Sequence, residues 1–273
     1  MSNLIRISVV IPTYNRSKLL LQAVESVLEQ TYPIEEILIC DDGSTDDSKQ
    51  KIEKLQNPKI RWIDCGRNGA PAIPRNTGII QSTGDWVAFL DSDDSWLPTK
   101  LYEQVKCIQS TSCLAVSTNA SRFAGEINMG NYLIYKKDVI TLIDLFWRNP
   151  VIISSLLVHK PTLLRTELFP VSRQFDSIED YALNLKVASL TTISFIEKPL
   201  VRYFDIPSLT LRGKQGLSFY EQRKRVTGDL LSWVRRNNIT FSLFDRILLY
   251  FLNSPIVKAK FFLVKLLRSV IKP

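Results

Sequence analysis

Asp85-Trp86-Val87-Ala88-Phe89-Leu90-Asp91-Ser92-Asp93-Asp94 is an apolar run that ends in three carboxylates. Residues 86–90 have the length and the aromatic and β-branched content of a buried strand. Carboxylates packed this closely repel one another unless a proton or a cation intervenes. A hard divalent cation is the usual partner, and an ion held by one or two carboxylates commonly also holds substrate phosphates. If the chain stays extended, Asp91 and Asp93 face the same way. The stretch points to an enzyme that handles a metal-bound diphosphate. It reads equally well as a helix-capping acid cluster before Trp96-Leu97-Pro98.

The same kind of strand recurs on the N-terminal side. Ile7-Ser8-Val9-Val10-Ile11-Pro12 is a short β-branched run stopped by proline. Ser17 is placed to cap a helix whose apolar positions Leu20, Ala23, Val24, Val27 and Leu28 recur at helical spacing. Residues 36–40 form a second strand, 44–55 a helix, 60–63 a third strand and 75–82 a helix before the strand at 86–90. Strands that alternate with helices predict a parallel α/β sheet. Ligands of such sheets bind beyond the carboxyl ends of the strands. Pro12 to Arg16, Asp41-Asp42 and Asp91 to Asp94 all fall there. Beyond residue 95 the pattern is less regular. Residues 154–158 and 193–201 read as strands, 178–188 as a helix, and 212–225 as a basic, mobile loop leading into a helix.

The bulk numbers narrow the function without choosing it. The chain has 273 residues, 45% of them hydrophobic and 23% charged, which excludes a wholly disordered protein. The net charge of +8 calls for an anionic partner, and nucleic acid, anionic lipid and a nucleotide diphosphate all qualify. Cys40, Cys65, Cys107 and Cys113 form no ligand-spaced pair, and one histidine, His159, is read as structural, so zinc is not expected. Reduced cysteines fit a cytoplasmic setting. The N-terminus runs straight into a strand without the charged and apolar regions of a signal peptide. No stretch reaches the roughly 18 apolar residues of a spanning helix.

Four further clusters carry chemistry. Pro12-Thr13-Tyr14-Asn15-Arg16 offers an aromatic face, hydrogen-bonding side chains and a cation, a set that suits a base and its phosphates or an ordinary strand-to-helix turn. Asp42, at a strand end, can accept from a base N–H or simply hold a turn. Arg75, in Arg75-Asn76-Thr77-Gly78, stands at a helix start, where phosphate binds well. Glu179-Asp180 opens a helix, where the dipole favours acids whatever their function.

Taken in order, these pieces resemble the family 2 glycosyltransferases. The resemblance runs from about residue 7 to 210. It rests on Val9 to Arg16, Cys40-Asp41-Asp42-Gly43-Ser44-Thr45-Asp46, Arg75-Asn76-Thr77-Gly78, Phe89 to Asp94 and Glu179-Asp180-Tyr181. It implies a GT-A fold: an α/β, mostly parallel Rossmann-like sheet flanked by helices, with a C-terminal helical extension. Residues 1–211 would be the catalytic domain, with a nucleotide-sugar half at 1–95 and an acceptor half at 96–211. Pro12, Thr13, Tyr14 and Arg16 would meet the nucleotide, Asp42 the uracil N–H, and Arg75 base or phosphate. Asp91 would lie near the ribose and the metal shell, Ser92 would meet the nucleotide-sugar, Asp93 with Asp91 would bind Mn2+ or Mg2+, and Asp180 would be the general base of an inverting transfer. Relatives often place a metal-binding histidine within the segment that here reads Tyr203-Phe204-Asp205-Ile206-Pro207-Ser208-Leu209-Thr210, so the third protein ligand is open.

The implied reaction moves a sugar from a UDP-sugar donor to a glycan or lipid-linked saccharide acceptor in cell-surface polysaccharide synthesis. Residues 212–273 add a basic loop and an amphipathic helical region. Lys258, Lys265, Arg268 and Lys272 share one face of a helix started by Ser254-Pro255, and Ile256, Leu263, Leu266, Leu267 and Val270 crowd the other. That pattern is expected to bind an anionic membrane surface, as an interfacial helix does, at the inner face of the cell membrane; packing on the domain is the alternative. Two rivals remain. A sugar-nucleotide nucleotidyltransferase would carry a Gly-rich basic N-terminal loop, where this chain has Pro12-Thr13-Tyr14-Asn15. A basic nucleic-acid or membrane module explains the charge but not acids at strand ends, which repel a phosphate backbone; nucleic acid is not an expected partner.

Overall fold

The computed structural model describes residues 4–204 and 218–240. The first half alternates as expected: β1 (Ile7–Thr13), α1 (Ser17–Leu28), β2 (Glu36–Asp41), α2 (Ser48–Glu53), β3 (Ile60–Asp64), α3 (Ala72–Gln81) and β4 (Trp86–Phe89). Then follow β5 (Ser95–Trp96), α4 (Lys100–Thr111), β6 (Ala115–Ala124), β7 (Ile127–Asn131), β8 (Val139–Ile140) and α5 (Leu142–Trp147). The described chain closes with β9 (Leu157–His159), α6 (Lys160–Arg165), α7 (Glu179–Leu190), β10 (Ile193–Phe204) and α8 (Phe219–Arg236).

Among the described residues ten strands form one sheet, in the order β3-β2-β1-β4-β9-β6-β10-β5, with β7 on β6 and β8 on β10. β3, β2, β1 and β4 run parallel. β9 enters antiparallel between β4 and β6, so the sheet as a whole is mixed. The uninterrupted apolar runs of β1, β2 and β4 follow from burial on both faces. Val10, Leu38, Cys40, Val87 and Phe89 enter one core with residues of α3, α6 and α7. Val9, Ile11, Ile37, Ile39, Ala88 and Leu90 enter the other with residues of α1 and α4. Residue-by-residue alternation along a strand produces that division.

Several local expectations change. Ser17 is not the cap of α1; Arg16 holds that position, and the Ser17 N–H donates to Asp46 Oδ2 at 3.1 Å. Ser44 does not start a helix. Its N–H and hydroxyl both donate to Asp41, at 3.1 and 2.5 Å, and this turn delays α2 to Ser48. α3 begins at Ala72, so Arg75 lies in its first turn rather than at its start. Residues 153–155 form a 3-10 turn; only Leu157 and Val158 of the predicted strand pair, and the observed strand runs on to His159. His159 ends that strand with its ring 5.3 Å from that of Trp86, a packing contact. Residues 219–225 belong to α8 rather than to a loop. The boundary at 211, Ile206 and the tail from 245 lie outside the described residues. α8 itself buries Val226, Leu230 and Trp233 in the core that also holds α7.

α3 sits close to the sheet because of one glycine. A Cβ on Gly78 would lie 2.5 Å from Val10 Cγ1 and 2.9 Å from Cys40 Sγ. Gly78→Ala is therefore expected to cost about 1–3 kcal/mol through overpacking, read as a lower Tm. An unchanged Tm would show that α3 can lift without loss. Among the described residues no helix is long and apolar enough to cross a membrane.

Candidate active site

The carboxyl ends of β1, β2 and β4 open into a cleft of about 420 Å3. β1 and the turn after it bring Pro12, Thr13, Tyr14 and Arg16, and β2 brings Asp42. The segment from β3 into α3 brings Arg67, Gly69, Ala70, Pro71, Pro74 and Arg75. β4 delivers Asp91, Ser92, Asp93 and Asp94, and the first turn of α7 delivers Glu179 and Asp180. Tyr203 and Phe204, at the end of β10, line the same cleft. The structure thus brings together every site residue nominated from the sequence.

Two loops lock each other at one end. Asn15, in left-handed conformation at φ 49, accepts from the Thr45 N–H at 2.7 Å, and its own N–H donates to Ser44 Oγ at 2.9 Å. Asp42 is buried. It accepts from the N–H groups of Asn68 at 2.7 Å and Gly69 at 2.8 Å, and pairs with Arg67. The Arg67 guanidinium lies 3.7 Å from the centre of the Tyr14 ring. A carboxylate has about four acceptor positions, so three bonds leave Asp42 one for a ligand.

The acid cluster is a turn, not extended chain: the Asp94 N–H donates to the Asp91 carbonyl at 3.0 Å. Asp91 and Asp93 are half-buried, whereas Ser92 and Asp94 are buried. Asp94 does not cap α4, whose N-cap is Thr99. Its carboxylate accepts from Ser154 Oγ at 2.5 Å and from the Phe204 N–H at 3.0 Å, tying the turn to β10. Asp93 pairs with Arg16. Burial, then the neighbouring Asp91, push the Asp93 carboxyl up despite Arg16. Burial pushes Asp94 further, with Asp93 and Asp91 adding to it.

That crowding bears on a metal. Ionised carboxylates that burial and each other disfavour are restored by a hard dication. Among the described residues no three His, Cys, Asp or Glu side chains are grouped to hold an ion. The available set is Asp91 and Asp93. Mg2+ and Mn2+ fit such a set, because they are commonly held through one or two carboxylates with substrate phosphates and water completing the shell.

Arg75 is buried, at 3% exposure. Its Nη2 donates to Asp91 Oδ1 and its Nη1 to Glu179 Oε1, each at 2.7 Å. Burial opposes its charge, but Asp91 and Glu179 outweigh burial and hold it protonated.

Residues 8–154 match the model of the family described as glycosyl transferase family 2. The chain belongs to that family. An uncharacterized glycosyltransferase of Rickettsia bellii is 33% identical over 201 residues, 71% of this chain and 28% of that protein. The chain spans about a third or less of the length of such Rickettsia relatives. The Escherichia coli UDP-Glc:alpha-D-GlcNAc-diphosphoundecaprenol beta-1,3-glucosyltransferase WfaP is 32% identical over 190 residues, 67% of this chain and 70% of WfaP. The crystal structure of S. aureus TarS 1-349 in complex with UDP-GlcNAc superposes with a TM-score of 0.67 at 22% identity, covering 83% of this chain and 67% of that one. That likeness shows the GT-A fold: a large central sheet flanked by helices.

Within this family 2 chain, three site residues were missed or misjudged in the sequence. Arg67 stands between two glycines just after β3, a usable signal for a loop cation near the strand ends. Ser154, which accepts from the Asp91 N–H at 3.1 Å while donating to Asp94, has no signal at all. Glu179 was legible only as a dipole-stabilised acid, yet it is 5% exposed and Arg75's second partner.

Burial pushes the Glu179 carboxyl up from 4.5 to about 6; Arg75 opposes the shift and Asp180 adds to it. Between these values the folded chain keeps a proton that the unfolded chain releases, so stability falls as pH rises through the window. Glu179→Gln is expected to flatten that part of the Tm–pH curve. The same slope in wild type and variant would remove Glu179 as its source.

Proposed function

We propose that the chain is an inverting, metal-dependent glycosyltransferase that moves a sugar from a UDP-sugar to a hydroxyl of a lipid-linked saccharide in cell-surface polysaccharide synthesis. The observation that carries this reading is the convergence of Tyr14, Asp42, Asp91, Asp93 and Asp180 on one cleft at the strand ends. The activity for which WfaP is named, a glucosyl transfer from UDP-Glc onto a diphosphoundecaprenol-linked sugar, supports the donor and acceptor classes.

Tyr14 and the remaining acceptor position of Asp42 receive the uracil. Asp91 and Ser92 take the ribose side, and Asp91 with Asp93 would hold Mn2+ or Mg2+. When bound, the ion offsets the negative charge that grows on the departing diphosphate. Asp180 accepts the proton of the acceptor hydroxyl as that oxygen bonds to the anomeric carbon. The bond from that carbon to the diphosphate breaks with its electron pair on UDP, and one displacement inverts the configuration. The basic region beyond residue 245 is proposed to hold the enzyme at an anionic membrane surface, where a lipid-linked acceptor lies.

A thermal-shift screen of nucleoside diphosphates and UDP-sugars with Mn2+ tests the donor class. A ligand that binds only the folded chain raises Tm by mass action. UDP and one or more UDP-sugars are expected to do so; stabilisation by GDP but not by UDP would overturn the uridine assignment.

A further inference from the structure

We propose that Arg75 is a positioning residue, which sets the end of α7 that carries Asp180 against the end of β4 that carries Asp91 and Asp93, and not a ligand of the donor phosphates. The proposal rests on the glycosyltransferase reading for its effect on turnover, but not for the contacts themselves.

Three residues of α3 dock it onto the rest of the chain. Arg75 bridges Asp91 and Glu179, at 2.7 Å to each. Asn76 holds the backbone of Phe169 in both directions: its Nδ2 donates to the Phe169 carbonyl at 2.9 Å, and its Oδ1 accepts the Phe169 N–H at 3.0 Å. Gly78 seats the next turn against Val10 and Cys40. The Arg75-Asn76-Thr77-Gly78 motif is therefore a docking cluster between distant parts of the chain. Both Nη atoms of Arg75 donate to carboxylates, Nε is buried without a partner in the chain, and the guanidinium packs 5.3 Å from the Phe169 ring centre. A phosphate ligand needs its cation open to the cleft; this cation is enclosed and already bidentate.

The functional consequence follows from adjacency. Glu179 directly precedes Asp180, so the Arg75–Glu179 bond fixes the first turn of α7 and the height of the base. Arg75 reaches Asp91 with its other arm, so base and donor site are referenced to one rigid fork. Misplacement of a reacting group by about 1 Å can cost roughly 100-fold in rate.

Arg75→Lys separates the two roles. Lysine still presents a positive charge to phosphate, but as a point charge it cannot span two carboxylates as a planar fork does. A positioning role predicts that kcat for UDP-sugar turnover falls by about 100-fold, while the calorimetric Kd for UDP with Mn2+ changes by less than about tenfold. A UDP Kd weakened about tenfold or more, or an unchanged kcat, would overturn the proposal. Glu179→Ala removes the far end of the strut without touching any group assigned to the donor. It is expected to match Arg75→Lys, and the double variant to lose no more than either alone. Additive losses would contradict a shared strut. The same non-additivity is expected in the unfolding of the ligand-free protein, a readout that does not depend on sugar transfer; additive unfolding losses would overturn the strut whatever the chain transfers.

Discussion

Asp180→Asn is expected to lower sugar transfer by about 10²–10⁴-fold, the usual contribution of a positioned general base, while UDP-sugar binding is retained. The substitution is conservative in structure. Asp180 Oδ1 accepts from the Tyr181 N–H at 2.7 Å, and an asparagine oxygen can do the same. Half-buried at the first turn of α7, the side chain supports no core packing, so Tm should hold. What is lost is the group that takes the acceptor proton. Saturating UDP-sugar binding with negligible transfer is the expected pairing; near-normal turnover would remove Asp180 from the role.

The second large effect is expected at Asp93. Asp93→Ala should abolish the stimulation of turnover by Mn2+ and cut activity by about 100-fold or more, since a bound cation commonly supplies several kcal/mol to a developing anionic leaving group. Stability is expected to change little. Burial and Asp91 already disfavour the Asp93 charge, and its partner Arg16 stays close enough to solvent, at 29% side-chain exposure, to be hydrated once unpaired. Chelation of the wild-type enzyme should mimic the variant. Full wild-type activity in excess chelator would defeat the metal assignment, whatever Asp93→Ala does.

The legible part of this fold is the part whose packing is written locally. β1, β2, β3 and β4 announce themselves because their runs are largely apolar, and they end at Thr13, Asp41, Asp64 and Phe89. α4 is legible only as the helix that an acidic cap would open, and its extent is not, because its buried face includes Lys100 and Gln104, which bond each other at 2.8 Å and break the apolar period. β6 escaped notice because Ser117, Thr118 and Asn119 are buried in it, with Ser117 satisfied by Ser155 at 2.7 Å. The antiparallel insertion of β9 is a matter of strand direction, which local pattern does not encode. The site divides in the same way. Residue types and strand ends single out Tyr14, Asp42, Asp91 and Asp93, the family resemblance adds Asp180, and all five meet in one cleft. The partners of Arg75 could not be read, because Glu179 lies 104 positions away and only the folded sheet brings them together.

The most direct test is UDP release by the purified chain, incubated with Mn2+ and a panel of UDP-sugars, with wild type and Asp180→Asn side by side. The expected result is UDP release from at least one UDP-sugar, accelerated by a lipid-linked saccharide and suppressed by chelator and by Asp180→Asn. Release that is indifferent to Asp180 and to chelator, or none from any UDP-sugar despite an intact fold, would contradict a UDP-sugar-dependent inverting transferase.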